Sequence, residues 1–176
     1  VTSILILGSA ASLPSDLAAL GDWPGVVMAV NRSGAFHPGR IDHWVSLHPD
    51  QLAGFMAERN VRGLPFDGLT WCQRTHPGTA VDLTPHRLDH SGSSGLFAVR
   101  IALDVLKARR VVLAGMPMDD SPHFYDPAGR RSGPSFVCYR PVWRAAASNE
   151  FSERVRSLSG WTANLLGRPD PAWLED

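Results

Sequence analysis

The chain has 176 residues, 44% of them apolar and 19% charged, with a formal net charge of zero. This balance supports a sizeable folded core and excludes a disordered chain. Neutrality leaves no global field to draw the molecule to nucleic acid or to an anionic membrane, so neither is an expected partner.

Ile4-Leu5-Ile6-Leu7 is a continuous apolar run, the pattern of a central parallel strand buried on both faces. It leads into a turn of small residues, Gly8-Ser9-Ala10-Ala11-Ser12, and then a short helix through Leu20 with Ser15 or Asp16 as its cap. Residues 25–30 form the second expected strand, ending in Asn31-Arg32-Ser33-Gly34. Residues 42–47 form the third, ending in His48-Pro49-Asp50, with a helix over 51–59 behind it. Residues 69–72 make a short fourth strand, and the polar, proline-bearing stretch 73–90 reads as a loop over the site.

Ser91-Gly92-Ser93-Ser94-Gly95 opens a helix over 94–108 that is apolar apart from one edge, Arg100, Asp104 and Lys107. Residues 110–115 are the fifth strand, near the sheet centre. Residues 116–140 are rich in Pro, Gly, Ser and Asp and read as a long functional loop. A helix over 141–158 has Pro141 in its first turn, and 161–173 adds a last short helix. Trp143, Trp161 and Trp173 are placed to pin this end to the sheet, a base-stacking platform being the alternative.

Strands alternating with helices predict an α/β fold: a three-layer, Rossmann-like architecture with a mostly parallel central sheet and helices on both faces. The expected organisation is a single nucleotide-binding domain over 1–176, with 141–176 a helical segment docked on it. Cys72 and Cys138 form no CxxC pair and are expected as reduced thiols. The opening residues lack the basic flank of a signal peptide, and no apolar run is long enough to span a bilayer. A cytoplasmic protein is therefore expected.

In such folds ligands bind beyond the carboxyl ends of the strands. A helix start rich in Ser and Gly exposes unpaired amides and the positive end of the helix dipole, which suit a phosphate. Ser91, Gly92, Ser93 and Ser94 are thus nucleotide-binding candidates, together with Gly8, Ser9, Ala10 and Ser12 of the first turn and Gly115 after the fifth strand. The first turn lacks the second and third glycines of GxGxxG, so a standard NAD site is not expected, and no GxxxxGK[ST] occurs. The Asn31 amide can read a base edge or a ribose hydroxyl, and Arg32 can reach a phosphate. A tight turn and an Asn-led turn are the purely structural alternatives.

Asp119, Asp120 and His123 follow the fifth strand. A histidine there can act as general base, and either carboxylate can orient it, activate a hydroxyl or hold magnesium through water. A solvated acidic loop is the structural alternative. His48 and Tyr125 are substrate-contact candidates. His37, His43 and His48 fit no zinc spacing, so no metal site is expected, and no Gly-x-Ser-x-Gly elbow supports a hydrolase triad.

Gly8-Ser9-Ala10-Ala11-Ser12-Leu13, Asn31, the Ser91–Gly95 turn and Val111 to Met118, in this order, resemble a group of Rossmann-like transferases. The group includes CMP-sugar-dependent bacterial sialyltransferases and 6-hydroxymethylpterin diphosphokinase-like proteins. The first turn departs from the group's Gly-x-Gly-Pro-Ser-Leu at Ala10-Ala11. The resemblance covers roughly residues 3–125 and implies a nucleotide-dependent transferase. It makes His123 the nearest match to the sialyltransferases' general base. The C-terminal Val155-Arg156-Ser157-Leu158-Ser159-Gly160-Trp161 resembles endings of small bacterial and phage-type proteins.

The expected ligand is a small-molecule nucleotide, and the leading expectation is a glycosyltransferase-like enzyme with a nucleotide-sugar donor and no required metal. A homo-oligomer is compatible with the sequence. The alternatives are a magnesium-dependent diphosphokinase-like phosphotransferase using Asp119 and Asp120, and a non-catalytic nucleotide-binding module.

Overall fold

The computed structural model describes residues 2–127, 135–151 and 153–175. Among them six strands form one sheet: β1 (Ser3–Leu7), β2 (Val26–Val30), β3 (His43–Ser46), β4 (Leu69–Cys72), β5 (Arg110–Ala114) and β6 (Val155–Ser157). Their order is β4-β3-β2-β1-β5-β6, and every neighbouring pair is parallel. The chain winds outward from β1 to β4, then crosses back to lay β5 on the other side of β1. The β1/β5 boundary is therefore the topological switch point, where open α/β sheets leave a crevice. Leu7 is in register with both Ala29 and Ala114, so the turns after β1, β2 and β5 leave the sheet side by side.

The apolar strand runs bury both faces, residue by residue in alternation. Ile4, Ile6, Met28, Val30, Val111 and Leu113 pack against α4 (Ser94–Arg100), its π-helical continuation Ile101–Val105, and α5 (Arg140–Asn149). On the opposite face Leu5, Leu7, Val112 and Ala114 meet α1 (Leu13–Leu20) and Trp173 of α7 (Pro171–Glu175). Ala29, Trp44 and Cys72 meet α2 (Ser33–Phe36) and α3 (Pro49–Val61). Burial pushes the Cys72 thiol up to about 11, while Cys138 is exposed; both are free.

The α/β expectation holds, with three local corrections. Residues 141–158 are not one helix: α5 stops at Asn149, and Val155–Ser157 pair with β5 as a sixth strand. A further helix, α6 (Gly160–Leu166), follows it. The 73–90 stretch is more than a loop over the site: residues 82–83 strap the outer edge of β4, while Gln73 bonds the Leu47 carbonyl at the β3 exit. Along β4 Leu83 donates to the Thr70 carbonyl and accepts from the Cys72 amide, and Asp82 takes the Thr70 amide and hydroxyl. Neither Ser15 nor Asp16 caps α1; its N-cap is Ser12, and Asp16 is buried inside. Of the expected long loop over 116–140, residues 128–134 lie outside the described residues, as do residues 1, 152 and 176 of the expected domain and its C-terminal segment.

Candidate functional site

A cleft of about 110 Å³ opens at the carboxyl ends of β1, β2 and β5. It is small beside the ~300 Å³ at the lower end of small-molecule pockets, so it encloses one end of a nucleotide-sized ligand at most. The first turn gives it Gly8, Ser9 and Ala10, and the β2 exit gives Asn31. The α4 start gives Ser93, Ser94 and Gly95, and the β5 exit gives Gly115 through Asp119, Ser121, His123 and Tyr125.

At the first turn, Gly8 is required by space: a Cβ there would lie 2.3 Å from the Gly115 carbonyl oxygen and 2.4 Å from Met116 Cγ. The amides of Gly8, Ala10 and Ala11 donate to the carbonyls of Ala114, Gly115 and Pro122, and the Phe124 amide donates to the Ser9 carbonyl. Most of this turn's donors are therefore spent on the loop after β5. Ser12 turns away from the cleft, with its hydroxyl bonded to Asp16 and Ser159. Ser12 is not among the residues that line the cleft. The Asp16 carboxylate accepts the Gly115 amide at 2.7 Å and the Ser159 hydroxyl at 2.7 Å, and so fixes the β5 exit from behind.

The buried Ser33 hydroxyl bonds the Leu7 and Val30 carbonyls and ties the β1 and β2 exits together. Asn31 sits in the left-handed region at φ 53°. Its amide donates to the Val45 carbonyl and its own carbonyl accepts the Trp44 indole. The Ser46 hydroxyl donates to Asn31 Oδ1 at 2.9 Å, which leaves the side-chain NH2 as the group presented to a ligand. Arg32 does not join it. Its guanidinium forms a two-pronged ion pair with Glu58 at 2.8 Å, which raises the Arg32 pKa and holds the Glu58 carboxyl below its usual range.

The Ser/Gly turn divides in two. Ser93 is the N-cap of α4: its hydroxyl oxygen accepts the Leu96 amide and the Trp143 indole. Ser94 Oγ accepts the Leu47 amide. Both hydroxyls keep their hydrogens for another partner, and among the described residues the Ser94 and Gly95 amides meet no acceptor. Ser91 and Gly92 lie outside the cleft. Asp89 takes both the amide and the hydroxyl of Ser91, and buried Arg100 grips the Asp89 and Ser91 carbonyls while pairing with Glu150. His48, at the start of α3, is also outside the lining.

Beyond β5 the two expected carboxylates diverge. Asp119 lines the cleft and accepts the Ser121 amide, whereas Asp120 is exposed and accepts the Ser135 hydroxyl. Among the described residues no cluster of three metal-ligating side chains is found. A carboxylate hydrogen-bonded to His123 is that of Asp126, which the sequence reading did not single out. Tyr125 stacks on His123 with ring centroids 5.1 Å apart. Burial raises the Tyr125 phenol's pKa, and a hydrogen bond with Ser9 opposes the rise. Ser121 was also missed: it lines the cleft, and among the described residues its buried hydroxyl has no partner. Such an orphan donor is uncommon in folded proteins.

No family model matches the sequence, and no curated protein is significantly similar to it. The fold is shared with solved sialyltransferases. One is the sialyltransferase CST-II in complex with a trisaccharide acceptor and CMP: TM-score 0.64, 12% identity, covering 96% of this chain and 86% of that one. Another is CstII from Campylobacter jejuni in complex with cytidine-5'-monophosphate: TM-score 0.61, 11% identity, covering 96% and 85%. A third is CstII with CMP-3FNeuAc: TM-score 0.62, 11% identity, covering 97% and 87%. At this identity the likeness is one of fold.

Proposed function

We propose that the chain is a nucleotide-sugar-dependent transferase of glycosyltransferase type. The observation that carries this reading is the content of the β1/β5 cleft. The Asn31 NH2, the Ser94 and Gly95 amides and the Ser93 and Ser94 hydroxyls converge there, opposite a histidine tied to a carboxylate. Such donors suit an anionic group that gains charge as it leaves. The sharing of this fold by sialyltransferases solved with CMP supports a cytidine monophosphate leaving group as the first to test.

In the proposed step an acceptor hydroxyl gives its proton to His123 as its oxygen forms a bond to the donor sugar's anomeric carbon. The bond from that carbon to the phosphate oxygen breaks, and the nucleotide leaves with the electron pair. Asn31 reads the base or ribose, and the Ser93–Gly95 segment receives the phosphate. The diphosphokinase alternative needs Asp119 and Asp120 together; Asp119 lines the cleft, whereas Asp120 is exposed and accepts the Ser135 hydroxyl.

Thermal-shift measurements with CMP, UDP, GDP and ATP, with and without magnesium, test the reading. CMP without metal is expected to raise Tm; a ligand at a hundred times its Kd adds about 2.7 kcal/mol. Release of CMP from CMP-activated sugars is expected and should be lost in His123→Ala. ATP acting only with magnesium would restore the phosphotransferase. Binding without turnover of any donor would leave a nucleotide-binding module, and no shift with any nucleotide would reject all three.

A further inference from the structure

We propose that Asp126 is the positioning residue for His123, and that Tyr125, backed by Phe36, fixes the imidazole plane; the proposal rests on His123 acting as the base. One oxygen of Asp126 accepts the His123 main-chain amide at 2.9 Å and lies 3.1 Å from Nδ1. The Asp126 amide in turn donates to the His123 carbonyl at 3.0 Å. The pair thus closes a four-residue turn twice, through main chain and side chain. The Asp126 side chain is 4% exposed and the His123 side chain 14%, so the contact is shielded from water.

Ring orientation has a separate source. Tyr125 stacks on His123 at 8° between planes, and Phe36 stacks on the other face of Tyr125 with centroids 4.8 Å apart. Arg62 covers Phe36 at 3.8 Å, and Arg32 lies over the Tyr125 ring at 4.9 Å, with Glu58 bound to both guanidiniums. This column runs from α3 through α2 to the histidine, so the ring cannot tilt without moving packed helices.

The chemical consequence is a chosen tautomer. A carboxylate at Nδ1 holds the hydrogen there and puts the lone pair of the neutral ring on Nε2. When an acceptor hydroxyl's proton moves to Nε2, the ring becomes a cation beside the Asp126 charge, and the carboxylate itself stays ionised. The sequence reading assigned this help to Asp119 or Asp120, which stand at the same loop but bond elsewhere.

The test is the 15N NMR tautomer pattern of His123 in the protein with labelled histidine, read beside the kinetics of CMP release from a CMP-activated sugar. The neutral ring of the unaltered protein is expected to carry its hydrogen on Nδ1. Asp126→Ala keeps the main-chain turn; it should shift the pattern toward Nε2–H and lower kcat about a hundredfold with KM little changed. Asp126→Glu should restore both in part. An Nε2–H ring in the unaltered protein overturns the proposal, and this needs no variant to fold. An Asp126→Ala protein with unchanged tautomer and kcat also overturns it. If His123→Ala retains turnover, the base reading fails by itself, and the tautomer measurement still decides the role of Asp126.

Discussion

The turn after β1 and the turn before α4 are built from the same small residues, yet they do opposite work. Around Gly8 the amides are consumed by carbonyls of the β5 exit, so the turn is a seam between two strands. Around Ser94 and Gly95 the amides meet no acceptor among the described residues, because Ser93 caps the amide of Leu96 instead of theirs. Glycine and serine indicate that backbone and ligand can approach; only an account of each donor shows whether any is left for the ligand.

Breaking the seam should have the largest effect. Gly8→Ala drives a methyl into the Gly115 carbonyl, which is backbone and cannot swing aside. A loss of about 3 kcal/mol or more is expected by denaturant unfolding. The matching change Gly95→Ala meets Met116 Sδ at 2.9 Å, the end of a flexible side chain. Stability should move by less than about 1 kcal/mol, while the CMP-induced thermal shift falls. Equal destabilisation by both changes would erase the distinction between the turns.

Asp16→Ala removes the carboxylate that holds Gly115 and Ser159 and should cost about 3 kcal/mol. Ser93→Ala removes the α4 cap and orphans the Trp143 indole, for about 1–2 kcal/mol in the same assay.

The smallest effect is a pH dependence that lies outside both turns. Burial holds the pKa of His37 and of His43 below the ordinary 6.5. The unfolded chain therefore takes up these protons first. Stability is full above 6.5, falls as pH drops below it, and levels off once pH passes the folded values. Glu58, held below 4.5 by Arg32, adds a second loss as pH falls from 4.5 through its folded value. Tm measured along a pH series should show both limbs, and His37→Gln should flatten the first.

Much of the frame was legible because it rests on local pattern. The run Ile4 to Leu7 and the segment Leu69–Cys72 are strands as expected, and α3 extends the expected 51–59 helix at both ends, beginning with Pro49 in its first turn. The sixth strand escaped notice since Val155–Ser157 has one apolar residue in three and exists through its pairing with β5. At the site, Gly8, Asn31, Ser93, Ser94, Gly115 and His123 were readable as strand exits and a helix start. Asp16 was not, because the amide it serves is 99 residues away. Ser91 lies outside the cleft lining, and a local sign of its partner was present: Asp89 two residues earlier is placed for an Asx-type capture of its amide. Asp126 lies beside Tyr125, but nothing in the spacing separates it from Asp119 and Asp120 as a partner for His123.

The seam between the first turn and the β5 loop also bears on motion. Ala11 and Phe124 donate across it in opposite directions, so these stretches should open together or not at all in hydrogen exchange. A ligand that entered by peeling one away would have to unzip the end of the central strand. Entry and exit are left to the α4 side, where Ser94 is tied only through its hydroxyl to the Leu47 amide and, among the described residues, the Ser94 and Gly95 amides meet no acceptor.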